Sequence, residues 1–166
     1  MFALSDKEIK DFLNILKLSA KLYAVEELTP KKLLNGHYYV LNIDDDLNEG
    51  SNGTHWTAFF LYKDLCLYFD SFGNAPPEKV KKMIQKNYII IYNGFQLQDN
   101  NKESCGYYAI YFIWAMVQIM KTRPGKSMST ERQALNKINQ IIKPFDLDNI
   151  ENNEAILKGI INKMLK

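Results

Sequence analysis

The sequence predicts an α+β fold, and three observations carry that expectation. Between residues 37 and 69 the chain is rich in aromatic and β-branched residues broken by turn chemistry, which is the composition of strands. Residues 107–120 are apolar and aromatic with no Gly or Pro to interrupt them, and read as a buried helix. Behind them, residues 130–142 and 153–165 repeat their apolar side chains at helical spacing. With 166 residues, 46% hydrophobic and 24% charged, the chain is long enough for one good core and too short for two comfortable domains, so residues 1–166 are read as one domain.

Taken in order, Ser5 with Glu8 is a capping-box pattern and Leu4 with Ile9 fits the hydrophobic staple around it. A helix therefore starts there and buries Ile9, Phe12, Leu13 and Leu16. Thr29-Pro30 breaks the pattern after residues 22–28, a segment to which no element is assigned on physical grounds. HYYVLNI at 37–43 reads as a strand. The acidic run at 44–50 has the look of a calcium loop, but its glycine comes one place late and His55 stands where a bidentate glutamate belongs. A solvated acidic loop is expected instead.

Two strands follow, at 55–62 and 65–69, joined tightly at Lys63-Asp64. An even-length turn makes Thr57 face Asp70 and sets His55 diagonally from Asp70 on the same side of the sheet. An odd-length loop would put Trp56 on that side. Asn74-Ala75-Pro76-Pro77 is a stop followed by a helix start, with Val80, Met83 and Ile84 as its buried stripe. YIIIY at 88–92 is expected to be a short strand buried on both faces. Arg123-Pro124-Gly125 is expected to end the apolar helix. The last two helices should bury Leu135, Ile138, Ile141 and Ile142, then Ile156, Leu157, Ile160, Ile161 and Met164.

The chemistry gathers around Cys105. It stands between a polar loop and the apolar helix, where unpaired backbone N–H groups and the helix dipole favour a thiolate. A cysteine in such a place is more often an inert small hydrophobe. What raises Cys105 to a candidate nucleophile is its company: His55 as a base, Asp70 as a carboxylate to orient it, and Gln98, seven residues before Cys105, as an amide donor to an oxyanion. Cys66 lies mid-strand and reads as an inert buried thiol, His37 has no partner to name, and Trp56 reads first as a large core residue.

His55-Trp56, then Phe69-Asp70-Ser71-Phe72-Gly73, then Gln98 with seven residues to Cys105-Gly106, in that order, resembles the adenovirus-protease and Ulp1-like superfamily of cysteine proteases. The likeness is strongest to the capsid-maturation proteases of adenoviruses, virophages and Maverick/Polinton-type elements. It runs over about residues 23–120. The resemblance implies a papain-like cysteine protease fold with the circularly permuted order His, Asp, Cys, and a central mixed sheet flanked by helices. It makes His55 the general base, Asp70 its partner, Cys105 the nucleophile and Gln98 the oxyanion donor. It places Trp56 over a narrow channel for the substrate's glycines, with Gly106 beside it.

The reaction so implied is cleavage of viral capsid precursors after glycine during virion maturation, in the cytoplasm or nucleus of a host cell or in the virion. The alternative is a protease acting on a ubiquitin-like modifier. The partners implied are a polypeptide substrate and an activating peptide or DNA as in adenovirus relatives, acting on a monomer. Adenovirus proteases usually carry Glu-Pro where this chain has Asp70-Ser71, and the Ulp1 branch usually places Gln six residues before Cys.

The remaining features bound the partners. A net charge of +2 gives no global basic field that would demand nucleic acid. Two cysteines without Cys-x-x-Cys spacing argue against a disulfide framework, and two His with two Cys contain no close pair to hold zinc, so no metal or cofactor is expected. The first residues, MFALSDKEIKDF, carry charges too early for a signal peptide or membrane span, and a soluble intracellular protein with no membrane partner is expected.

Overall fold

A computed structural model of the chain describes residues 1–44 and 54–166, so most of the acidic loop expected at 44–50 lies outside the described residues. Helix α1 (Asp6–Ile15) begins at the predicted capping box. Ser5 Oγ accepts from the Glu8 N–H at 3.4 Å, and the Glu8 carboxylate accepts from the Ser5 N–H at 2.8 Å. Its apolar stripe buries Ile9 and Leu13, with Phe12 and Leu16 packed at the margin.

Five strands form one mixed sheet in the order β1-β2-β3-β4-β5: β1 (Ala20–Ala24), β2 (Tyr38–Asp44), β3 (Thr54–Tyr62), β4 (Leu65–Phe69) and β5 (Ile89–Tyr92). The pairs β1–β2 and β4–β5 are parallel, and β2–β3 and β3–β4 are antiparallel. Strand β1 has no counterpart in the sequence reading. Every one of its residues is half-buried, so it lacks the alternation that marks a strand, and its pairing with β2 is parallel and non-local.

The β3–β4 hairpin has the predicted register, with Tyr62 opposite Leu65 and Ala58 opposite Phe69 across a two-residue turn at Lys63-Asp64. Lys63 takes a positive φ of 56°, a conformation that tight hairpins require and that a side chain disfavours. Asn35 compensates by gripping the Lys63 backbone on both sides: its Oδ1 accepts from the Lys63 N–H at 2.9 Å and its Nδ2 donates to the Lys63 carbonyl at 3.1 Å.

Helix α2 (Glu78–Ile84) buries Val80 and Ile84 against one face of the sheet, with Tyr39, Phe59, Leu61 and Tyr68. The other face carries the larger core. There α3 (Cys105–Lys121) lies against β3, and Phe112 stacks on Phe69 with ring centroids 5.1 Å apart. Helices α5 (Glu131–Ile142) and α6 (Asn153–Met164) close that side. The architecture is α+β, a central mixed sheet flanked by helices, as expected.

Two local expectations are corrected. The strand read as buried on both faces, β5, is an edge strand, with Ile89 and Tyr92 more than two-fifths exposed; a run of isoleucines looks central in sequence, but among the described residues no further strand pairs with its outer side. Leu135 is exposed, because α5 turns Ala134 and Ile138 inward instead. The Cys105 helix ends at Lys121, before Arg123-Pro124-Gly125 as expected, and Thr122 then caps a further single turn, α4 (Arg123–Lys126), by accepting from the Gly125 N–H at 3.1 Å. Among the described residues no helix is long and apolar enough to cross a membrane.

Candidate active site

One end of the sheet collects the start of β3 and the end of β4, and the side chains singled out in the sequence meet there. His55 stands at the second position of β3, and Asp70 is the first residue after β4. Because the hairpin turn has even length, both project from the same side of the sheet. His55 Nε2 lies 2.8 Å from Asp70 Oδ1. An ionised carboxylate can only accept, so Nε2 carries the proton of that bond and Nδ1 is the ring nitrogen left to face the thiol.

Asp70 is held in turn. Its Oδ1 also accepts from the Phe72 N–H at 2.8 Å, its backbone N–H donates to Asn93 Oδ1 at 3.1 Å, and its carbonyl accepts from Asn93 Nδ2 at 2.7 Å and from the Gly73 N–H at 2.8 Å. Asn93 reaches on to the Phe95 carbonyl at 3.0 Å, binding the turn after β4 to the loop that follows β5. Gly73 is required by this contact. It has φ +76°, and a Cβ there would fall 2.6 Å from the Phe95 backbone carbon. The Phe72 ring leans on His55 with centroids 5.0 Å apart.

Cys105 is the first residue of α3, where the helix presents unpaired N–H groups, and its thiol is near enough to the His55 ring to raise its proton affinity. Cys105 is buried but retains 7% of its surface, whereas Cys66 is fully enclosed. Burial pulls the His55 pKa down, and the hydrogen bonds and charges of Asp70 and Cys105 more than reverse that. The imidazole is pushed up to about 9 from its ordinary 6.5. Burial alone acts on Cys66, and pushes that thiol up.

Gln98 is buried, with its carboxamide held on both sides. Ser71 Oγ donates to its Oε1 at 2.8 Å, and its Nε2 donates to the Lys102 carbonyl at 2.5 Å. Among the described residues its second Nε2–H has no acceptor. Gln96, the other glutamine of the loop, spends its Nε2 on the Gln98 carbonyl and on Asn100 Oδ1, both at 2.9 Å.

The two residues that the resemblance ties to the substrate, Trp56 and Gly106, are both buried. Trp56 is the core residue that its strand position predicts: only 2% exposed, it lies in the helix-side core, and its Nε1–H donates to the Leu4 carbonyl at 2.8 Å. Its neighbour His55 takes the other side of β3, and strand alternation sends the indole inward. Gly106 is buried too, and the space left by its missing side chain is filled by Leu4, whose Cβ would lie 3.1 Å from a Cβ on Gly106. Leu4 thus touches the first turn of α3 and the strand of His55 at once. Tyr107 packs edge-on against Phe12 at 5.5 Å, turned toward α1.

Asn93, Phe72, Ser71 and Leu4 were not singled out as members of the site in the sequence. Asn93 is visible there only as half of a turn dipeptide, and the others act through contacts that no local pattern encodes. His37 is exposed and hydrogen-bonds locally, Nδ1 to the Asn35 carbonyl at 3.0 Å. No cluster of three or more His, Cys, Asp or Glu side chains suited to a metal occurs among the described residues.

No protein-family model matches the chain, and no curated protein matches it in sequence. Among solved structures the chain is similar to an ASFV protease, at 19% identity and a TM-score of 0.39 over 61% of this chain and 41% of that one. It is also similar to the C-terminal Ulp1 protease domain in complex with the yeast ortholog of SUMO, at 15% identity and a TM-score of 0.40 over 98% of this chain and 76% of that one. A third similarity is to the SUMO protease Ulp1 with its catalytic cysteine oxidised to a sulfenic acid, at 14% identity and a TM-score of 0.39 over 98% and 77%. The chain spans about two-fifths of the length of the ASFV protease that it matches.

Proposed function

We propose that the chain is a cysteine endopeptidase in which Cys105 is the nucleophile, His55 the general base and acid, Asp70 its orienting partner and Gln98 a donor to the oxyanion. The observation that carries this reading is the 2.8 Å bond between His55 Nε2 and Asp70 Oδ1, with Cys105 at the helix start of α3 acting on the same imidazole. In the reaction His55 takes the thiol proton, and Cys105 Sγ bonds to the scissile carbonyl carbon while the π pair moves onto oxygen. The oxyanion is met by the Cys105 backbone N–H at the helix start and by the free N–H of Gln98. His55 then gives its proton to the leaving amine as the C–N bond breaks, and a water deprotonated by His55 releases the acyl group from sulfur.

Capsid precursors are the substrate class that the sequence motifs favour, with glycine before the cut. Phe72, leaning on the His55 ring, supplies bulk beside the base in place of the buried Trp56. Glycine passes where larger side chains clash. The deciding experiment offers the protein a candidate capsid precursor, a peptide with glycine before the cut and a folded ubiquitin-like fusion, and reads the new termini by mass spectrometry. Cleavage of the first two is expected. A folded modifier needs on the order of 800 Å² of docking face per partner, and efficient cleavage of the fusion alone would replace the capsid reading with the modifier reading.

A further inference from the structure

The carboxamide of Gln98 could in principle present either its oxygen or its nitrogen to a substrate, and only the nitrogen is useful to an oxyanion. The structure resolves that choice with two partners. The Lys102 carbonyl, an acceptor only, takes one Nε2–H at 2.5 Å, and Ser71 Oγ gives its proton to Oε1 at 2.8 Å. Ser71 is fully buried and immediately follows Asp70. Its backbone carbonyl also accepts from the Leu97 N–H at 2.8 Å and the Gln98 N–H at 3.0 Å. One residue thus holds both the main chain and the side chain of Gln98, and ties them to the end of the strand that carries the base's partner.

We propose that Ser71 is the positioning residue of the oxyanion site, fixing the Gln98 carboxamide with one N–H free and strengthening that N–H as a donor. The inference rests on the endopeptidase reading of this site and on the role of Gln98 within it. Without the Ser71 hydroxyl the buried Oε1 has no donor, which is costly enough to turn the carboxamide toward another partner. The hydroxyl bond also polarises the amide, drawing electron density toward Oε1 and leaving the N–H more positive. Both effects bear on a charge that exists only after sulfur has attacked, so they act on the transition state and not on substrate binding.

The test compares wild type, Ser71→Ala, Gln98→Ala and the double variant in two reactions of Cys105. Hydrolysis of the glycine-containing peptide passes through an oxyanion. Alkylation by iodoacetamide forms the S–C bond with loss of iodide and passes through none. Ser71→Ala is expected to lower kcat about ten- to a hundredfold with KM within about twofold. It should leave the Cys105 alkylation rate unchanged and add nothing to Gln98→Ala. Ser71→Cys, similar in size and a weaker donor, should fall between wild type and Ser71→Ala, and it carries the same comparison should the alanine variant fail to fold.

Slower alkylation in step with slower hydrolysis, or a full further loss on top of Gln98→Ala, would mark a merely structural role and overturn the inference. Wild-type hydrolysis by Ser71→Ala beside a slow Gln98→Ala overturns it alone. Wild-type hydrolysis by Gln98→Ala removes the oxyanion assignment with it, and an inert wild-type protein removes the endopeptidase reading as well.

Discussion

Asp70→Asn separates charge from shape at the centre of the site. The substitution keeps a carbonyl oxygen that can still accept from His55 Nε2 and from the Phe72 N–H, so the turn after β4 keeps its bonds and only the negative charge is lost. In the native protein His55 is pushed up to about 9 from 6.5. A raised cationic pKa contributes stability that is fully present below the unfolded value and is lost as pH rises through the folded one. A difference of this size corresponds to about 3 kcal/mol, shared between Asp70 and Cys105, with the His55 side chain 15% exposed.

Asp70→Asn should therefore be less stable than wild type by Asp70's share of that figure at pH 6, and the gap should close as pH rises from about 6.5 through 9. Urea denaturation at pH 6, 7.5 and 9.5 measures the gap. The imidazole itself can be followed by NMR, since His37 is the only other histidine in the sequence. A parallel stability difference at all three pH values, or a His55 that titrates near 6.5 in wild type, would refute the electrostatic argument. In turnover the same reasoning puts the alkaline limb of wild-type acylation near pH 9, because the leaving amine needs the imidazolium, and Asp70→Asn should move that limb downward.

Cys105→Ala should abolish peptide hydrolysis with an unchanged circular dichroism spectrum; residual turnover would exclude Cys105 as nucleophile. Mass spectrometry after limited iodoacetamide treatment should find Cys105 labelled before Cys66, whose fully buried thiol is pushed up by burial, and the reverse order would exclude a His-paired thiolate at Cys105. Gln98→Ala should reduce kcat about a hundred- to a thousandfold with little change in KM, as measured in steady state, and an unchanged rate would exclude Gln98 as donor. Gly73→Ala meets both a positive φ and the Phe95 backbone at 2.6 Å, and should cost on the order of 2–5 kcal/mol in urea denaturation; an unshifted midpoint would show that the turn gives way.

The parts of the molecule legible in the sequence are those encoded over short spans. The capping box of α1, the β3–β4 register and the facing of His55 toward Asp70 follow from residue spacing within a turn or a two-residue loop, and the structure has them as expected. What was not legible depends on distant neighbours. Strand β1 owes its existence to β2, β5 owes its exposure to its place at the sheet's edge, and Trp56 finds its partner in Leu4, 52 residues away. The support of Gln98 was hidden for the same reason: Ser71 lies 27 residues upstream, in a motif that drew attention only to the aspartate.

The hairpin pinned by Asn35 and Lys63 also implies an order of assembly. His55 and Asp70 are 15 residues apart and brought together by a turn, a closure of the kind that takes microseconds, whereas Cys105 must wait for α3 to dock across the sheet. Contact order therefore favours the meeting of His55 and Asp70 before Cys105 arrives beside them. On the endopeptidase reading, a chain that stalls before its core is complete would have no cutting site to turn on itself or its neighbours.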